Sequence, residues 1–461
     1  MFKRRKFLLL LALVLILGLF VEIEVWGDFK NDEAYKSIRL IVEALTLIQN
    51  NYLEIDKINT QDLIHGAIEG AIGKLGDPHT RFMNPDLYKE MKVETQGSFG
   101  GLGIVVTIRD EKLLVISPIE GTPAHKIGIK AADHIAEIDN EPTKNLTLFE
   151  AVHRLRGKPG TKVRITVERE GEEFPLKFEV TRAVIEIESV KYKVIKEGIG
   201  YIRIANFSQD TSQELKKALN DLDKKDIKSL ILDLRNNPGG LLEVAVPVAD
   251  CFIREGSIVS IKGRNQREEV FKAKQEGVFR DVPLVLLING ASASASEIVA
   301  GAIQDTKRGV VLGTKSFGKG SVQTVLPLKD GSGMAITTAK YYTPSGRCIH
   351  EVGITPDIVV EDMKLSKAEM KMLKRLNEKG LIEKFLKSHP DDYTKKDFEG
   401  FLEEIKTEGI ELDKAIIKRR LDEETWKIKG KQEPLYHLET DIQLQRAVDL
   451  LVAREIFHKG L

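Results

Sequence analysis

Cysteine is scarce: two residues in 461, Cys251 and Cys348. That excludes a disulfide framework and a cysteine-ligated metal cluster, and both read as small core residues. Excess charge of either sign is absent, with 70 basic against 70 acidic side chains. A balanced chain lacks the basic footprint of a nucleic-acid binder. Tandem repeats and low-complexity segments are missing too, which removes solenoids and linkers from consideration. Histidine is absent between His153 and His350. A histidine base for any nucleophile in that span must therefore come from outside it.

What is present begins with the N-terminus. "MFKRRK" supplies positive charge, and Phe7–Val21 is an uninterrupted apolar run of 15 residues. This fits the hydrophobic region of an export signal and is short for a membrane-spanning helix, which needs about 20 residues. No A-x-A cleavage site follows, and no cysteine is placed to carry a lipid. We expect an uncleaved anchor rather than a removed peptide. The basic end then stays in the cytoplasm and the body is exported, on the periplasmic or extracytoplasmic side of the cytoplasmic membrane.

Apolar residues make up 42% of the chain, enough for more than one core. "IRLIVEALTLI" and "LIHGAIEGAIGKL" repeat at helical spacing, and "GDPHTRF" ends that region. Between Gly97 and Arg182 the texture changes to short strands split by turn residues. "SLILDLR" and "PLVLLIN" are near-continuous apolar strands, each followed by a helical segment. Strand–helix alternation of this kind implies a parallel sheet covered on both faces. Beyond Glu361 the chain reads as charged helices, either a solvated appendage or an oligomer contact. The expected divisions are 1–28 (export segment or anchor), 29–95 (helical), 96–182 (small, strand-rich), 183–360 (α/β) and 361–461 (charged, helical).

Three stretches carry chemistry. "NGASASASEIV", Asn289–Val299, places serines between a strand and a helix, where free N–H groups and the helix dipole favour developing negative charge. Ser294 and Glu297 also fit a capping box, which needs no catalysis. "DLRNNPGGLL", Asp233–Leu242, offers Gly239 and Gly240, whose amides can turn toward an acyl oxygen; an ordinary strand–helix turn has the same letters. "GTKSFGKGSVQTV", Gly313–Val325, nearly matches a phosphate-binding loop. Gly320 stands where that loop needs a hydroxyl, however, and "SVQTVLPL" reads as a strand where it needs a helix. What remains is Lys319 between glycines, with Gln323 four positions on. An ordinary lysine pKa is near 10.4; burial lowers it, and a neutral amine can deprotonate a serine.

Taken with "AKYYTPSGRCIHEVGITPDI", these stretches resemble the carboxyl-terminal processing proteases, peptidase family S41, in motif and in order. The resemblance covers the chain after the anchor except the charged stretch around 362–437. It implies a multidomain α/β protein: a crotonase-like α/β spiral core, an inserted PDZ domain at 96–182, and helical N- and C-terminal regions. It implies a serine endopeptidase that cleaves proteins near their C-termini, using neither metal nor other cofactor. The nucleophile falls on Ser294, the base on Lys319 and its support on Gln323. The oxyanion amides fall on Gly240 (with Gly239 open) and Ala295, and Glu297 and Asp305 fall where acidic residues support the site. In the PDZ segment, Gly101, Leu102, Gly103 and Ile104 would hold a substrate's terminal carboxylate and add it as a strand; a glycine-rich hairpin turn is the plain alternative. Arg156 would reach the same terminus, with a solvated arginine as the equal alternative. Two rival classes follow from the same letters: a PDZ scaffold with an inert core, and a nucleotide-binding protein.

Overall fold

The structure, a computed structural model, describes residues 33–459 apart from 110, 120, 131, 170–171, 173, 265–266, 275–278, 280, 364, 390–392 and 429–433. The apolar run Phe7–Val21 therefore lies outside the described residues. Among the described residues no helix is long and apolar enough to cross a membrane. The chain divides into two compact units: the described residues up to Asn84 together with Val325–Ile336, and Pro85–Thr324 together with Thr337–Leu461.

In the smaller unit, helix Glu33–Asn51 precedes helix Thr60–Gly73, which Asn59 caps by accepting the Gln61 N–H. Strand Arg81–Met83 pairs antiparallel with Gly333–Ala335. His65 faces Asp330 at 3.0 Å and packs on Phe82. The helical region expected over 29–95 is interrupted at "GDPHTRF", where the sequence reading put its break. Gly76–Pro78 ends the second helix, a strand follows, and Pro85 opens helix Pro85–Gln96 in the other unit.

The larger unit contains a strand-rich domain and an α/β core. In the former, five strands lie in the order Ile104–Arg109, Lys112–Pro118, His134–Ile138, Lys162–Glu168, Leu176–Thr181. Among the described residues Ile104–Arg109 stands at the edge, paired on one side only, with helix Leu148–Leu155 beside it. Thr147 and Glu150 form a reciprocal cap at that helix's start. Alternate residues Val163, Ile165 and Val167 are buried among Leu113, Ile135 and Val180. A two-stranded ribbon, Ser98–Gly101 with Ala183–Glu186, joins this domain to the core.

Six core strands stand side by side in chain order: Val190–Lys196, Ile199–Ile204, Ser229–Asp233, Leu284–Ile288, Val310–Gly313 and Ile358–Val359. The first pair is antiparallel and every later pair is parallel. The third and fourth strands are buried at every position, which explains their continuous apolar sequences. One face carries helices Thr211–Asp223, Leu242–Asp250 and Ala295–Asp305, packed on Ile202, Leu230, Leu232 and Leu286.

The other face is covered by the last helix, Ile442–Lys459. Its Leu444, Ala447, Val448 and Leu451 lie against Tyr201, Ile231, Val285 and Leu287. For this helix the expectation of a solvated appendage or an oligomer contact is replaced: it is a layer of the core. The four preceding helices, Lys367–Ile428, do form a small separate core, with Phe385 stacked on Phe401 at 4.5 Å.

Candidate active site

The fourth strand ends in a turn whose last residue, Ser294, has φ 54° and ψ −112°. A side chain held there costs about 1–3 kcal/mol and persists only where surrounding bonds fix it. They do. Ser292 Oγ donates to Leu234 O (2.8 Å), and Ser296 Oγ and the Ala293 N–H both donate to Asn237 O (3.0 Å each). The hydroxyls flanking Ser294 are thus committed to backbone carbonyls of the Leu234–Asn237 stretch. Ser294 itself is 8% exposed. Its hydroxyl lies within hydrogen-bonding reach of the Tyr341 phenol, whose pKa is pushed up to about 12, first by burial and then by the Glu243 carboxylate.

Opposite Ser294 runs the glycine turn. A Cβ on Gly239 would sit 2.8 Å from Ser294 Cβ and 2.9 Å from Ala295 N, so only glycine lets the two turns meet this closely. Gly240, at φ 148°, is pressed against the Phe207 carbonyl. The Gly239 N–H is spent on Asn237 Oδ1 (2.9 Å). The Gly240 and Ala295 N–H groups donate no hydrogen bond among the described residues, and Ala295, first in its helix, has no intrahelical acceptor. Of the two glycines left open by the sequence, Gly240 is the one with an amide to offer.

Glu297 ties the serine turn to the lysine loop. Its carboxylate is 1% exposed and accepts the Ser294 N–H (2.8 Å), Ser316 Oγ (2.5 Å), the Gly318 N–H (2.7 Å) and the Lys319 N–H (2.9 Å). Burial pushes its pKa up, against the pull of those four donors. The expected capping box of Ser294 and Glu297 is present at the helix start, and the Glu297 N–H also reaches the Ser294 carbonyl at 2.9 Å. Lys319 is half-buried. Strand Ser321–Pro327 follows it, as the near-miss to a phosphate loop implied. The Gln323 amide nitrogen donates to Ser321 Oγ (3.1 Å) and Thr337 Oγ1 (2.9 Å). Its Oε1 is buried with no hydrogen-bond partner among the described residues, leaving an acceptor suited to an ammonium.

Asp305 is not brought to this cluster. It ends the helix that Ser294 begins, about 16 Å along its axis at 1.5 Å per residue, and there it accepts the Ser345 N–H and pairs with Arg347. Its role is to fasten the far end of that helix. His350 stands nearer: its backbone crowds Gly320, where a Cβ would lie 2.1 Å from His350 N. Sequence reading missed Asn237 and Ser316, which stabilise the two turns; their signal was only that polar residues occupy buried loop positions.

In the strand-rich domain, Gly103 has φ 76° and leaves no room for a Cβ against Thr122. The loop's carbonyls are engaged: Leu102 O accepts from the Ala124 N–H (3.0 Å) and Gly103 O from the Ile119 N–H (2.8 Å). The Arg156 guanidinium lies over the Phe99 ring at 4.4 Å.

Comparison with known proteins gives the class first: a serine-type peptidase carrying a PDZ domain. Residues 198–360 match the model of "Peptidase family S41", residues 100–180 that of the PDZ domain, and residues 24–87 that of the "Activating protease CtpB N-terminal domain". A carboxy-terminal-processing protease of Bartonella bacilliformis is 45% identical over 71% of this chain and 76% of its own. The carboxy-terminal processing protease CtpA of Bacillus subtilis is 37% identical over 73% and 70%. Among solved structures, the photosystem II D1 C-terminal processing protease is 29% identical with a TM-score of 0.43, over 70% of this chain and 92% of that one. The chain belongs to peptidase family S41, the carboxyl-terminal processing proteases.

Proposed function

We propose that this peptidase works through a Ser294–Lys319 pair. Neutral Lys319 Nζ takes the proton of the Ser294 hydroxyl as Oγ bonds the scissile carbonyl carbon. The carbonyl electron pair moves to oxygen, held by the Gly240 and Ala295 N–H groups. Collapse breaks the C–N bond, and Lys319 returns its proton to the leaving amine. Water then repeats the sequence on the acyl-enzyme, with Lys319 again as base. Gln323 Oε1 accepts from the lysine and keeps it aimed. The observation that carries this reading is Glu297: one buried carboxylate holds the backbones of both Ser294 and Lys319.

Recognition rests on the glycine loop and the free edge strand. Gly101–Gly103 receive the substrate's terminal carboxylate, and the peptide pairs with Ile104–Arg109. An unfolded protein offered with a free or an amidated C-terminus tests both parts. We expect cleavage of the free-acid form, loss of it in Ser294→Ala, and slower cleavage of the amidated form. Equal rates for the two termini would reduce the loop to a turn. The body is exported and held at the membrane by Phe7–Val21; N-terminal sequencing of the membrane fraction should find the mature chain starting near Met1, and a start in the 20s would remove the anchor.

A further inference from the structure

The glycine turn is gripped from behind, at Arg235. Strand Ser229–Asp233 ends in Asp233, 2% exposed, which accepts Tyr201 Oη (2.8 Å), the Arg235 N–H (2.9 Å) and Arg235 Nε (3.0 Å). Nη2 also donates to Asp233 Oδ2 (2.6 Å), and the outer edge of the same guanidinium reaches beyond the core strands as well. Nη1 donates to Asp441 Oδ1 (2.8 Å) and Gln443 Oε1 (3.0 Å), and Nη2 to Asp441 Oδ2 (2.7 Å). Asp441 and Gln443 open the C-terminal helix, more than 200 positions away in the chain. Asp441 also caps that helix by accepting the Leu444 N–H at 2.9 Å.

Gln443 faces two ways. Besides Arg235, its Nε2 donates to Val360 O (2.7 Å), and the Val360 N–H donates to Gly313 O (2.9 Å). Gly313 is where the lysine loop leaves the sheet. Arg235 stands immediately before Asn236 and Asn237, which bond Asn289 and the Gly239 N–H. One helical turn therefore touches the stem of the oxyanion turn and the stem of the lysine loop. A planar guanidinium shared by two carboxylates fixes position and orientation in a way a point charge does not.

We propose that Asp441 and Gln443 are positioning residues for peptide hydrolysis: the first turn of the C-terminal helix sets the Gly240 amide and the Lys319 loop against Ser294. This rests on the Ser–Lys reading above. Neither residue touches substrate; both act through Arg235 and Val360. A displacement of about 1 Å at reacting groups costs up to about 10²-fold, so a loosened clamp that leaves the fold intact should cost about tenfold.

Asp441→Asn separates clamp from cap, because asparagine caps helices as well as aspartate does while losing the charged pair. Two rates are read in the whole enzyme: kcat and KM on a peptide with a free C-terminus, and the labelling of Ser294 by a fluorophosphonate, which needs the nucleophile and the oxyanion amides but not the PDZ domain. We expect both rates to fall about tenfold at unchanged KM, with Asp441→Glu recovering much of the loss. Wild-type rates in Asp441→Asn, even with a lowered melting point, would make the contact merely structural and overturn the proposal. If Asp441→Asn does not fold, Gln443→Met is read by the same two rates. Failure of the wild-type enzyme to label at Ser294 would instead sink the Ser–Lys reading.

Discussion

At the scale of single residues, three neighbouring serines have different work. Ser292 and Ser296 spend their hydroxyls on the Leu234 and Asn237 carbonyls, whereas Ser294 occupies the strained position at the helix start. Ser292→Ala and Ser296→Ala should therefore keep measurable turnover and lose about 1 kcal/mol of stability each, read by denaturant melts. Lys319 gives the sharper test. Arginine keeps the charge but does not deprotonate in a protein, so Lys319→Arg should be as inactive as Lys319→Ala while the fold survives. Activity should also climb with pH as the amine loses its proton. Near-wild-type turnover in Lys319→Arg would move the base to His350, whose backbone adjoins Gly320. The residue types of this site were legible in the sequence. The φ of Ser294 was not, because tertiary bonds impose it. Nor was the choice between Gly239 and Gly240, which depends on where one amide hydrogen is spent. Asp305 was placed by resemblance alone, and the helix between it and Ser294 carries it away from the cluster.

At the scale of elements, the glycine turn and the serine turn meet across a gap narrower than a methyl group. A Cβ at Gly240 would lie 2.2 Å from the Phe207 carbonyl oxygen. Gly240→Ala must push that turn away from Phe207 and tilt its amide. Loss of one oxyanion donor costs about 10²–10³ in kcat, and we expect a loss of that order with circular dichroism unchanged. A Gly240→Ala enzyme with normal kcat would remove this amide from the mechanism. The parallel strands were readable because burial on both faces writes an unbroken apolar run. The C-terminal helix was harder. Leu444, Ala447, Val448 and Leu451 follow helical spacing, but the charges between them, Arg446 and Asp449, gave the segment the look of a solvated helix. Its partner face, on strands up to 250 residues earlier, leaves no local mark.

At the scale of the whole molecule, the catalytic sheet is finished by the chain's last helix. A chain ending at Glu439 would uncover Tyr201, Ile231, Val285 and Leu287 and strip Arg235 of Asp441. Burying a leucine or valine is worth about 1.5–3 kcal/mol, so Leu444, Val448 and Leu451 together match the lower part of the about 5–15 kcal/mol that holds a typical protein folded. We expect the truncated protein to be inactive and to melt far below the full chain, or to be recovered only as aggregate; an active, normally melting truncation would return this helix to an appendage. The order of synthesis gives that dependence a second meaning. Ser294, Lys319 and Gln323 all leave the ribosome well before the helix on which their sheet relies. A peptidase built this way should stay inert until helix Ile442–Lys459 has also been made and has closed the open face of its sheet.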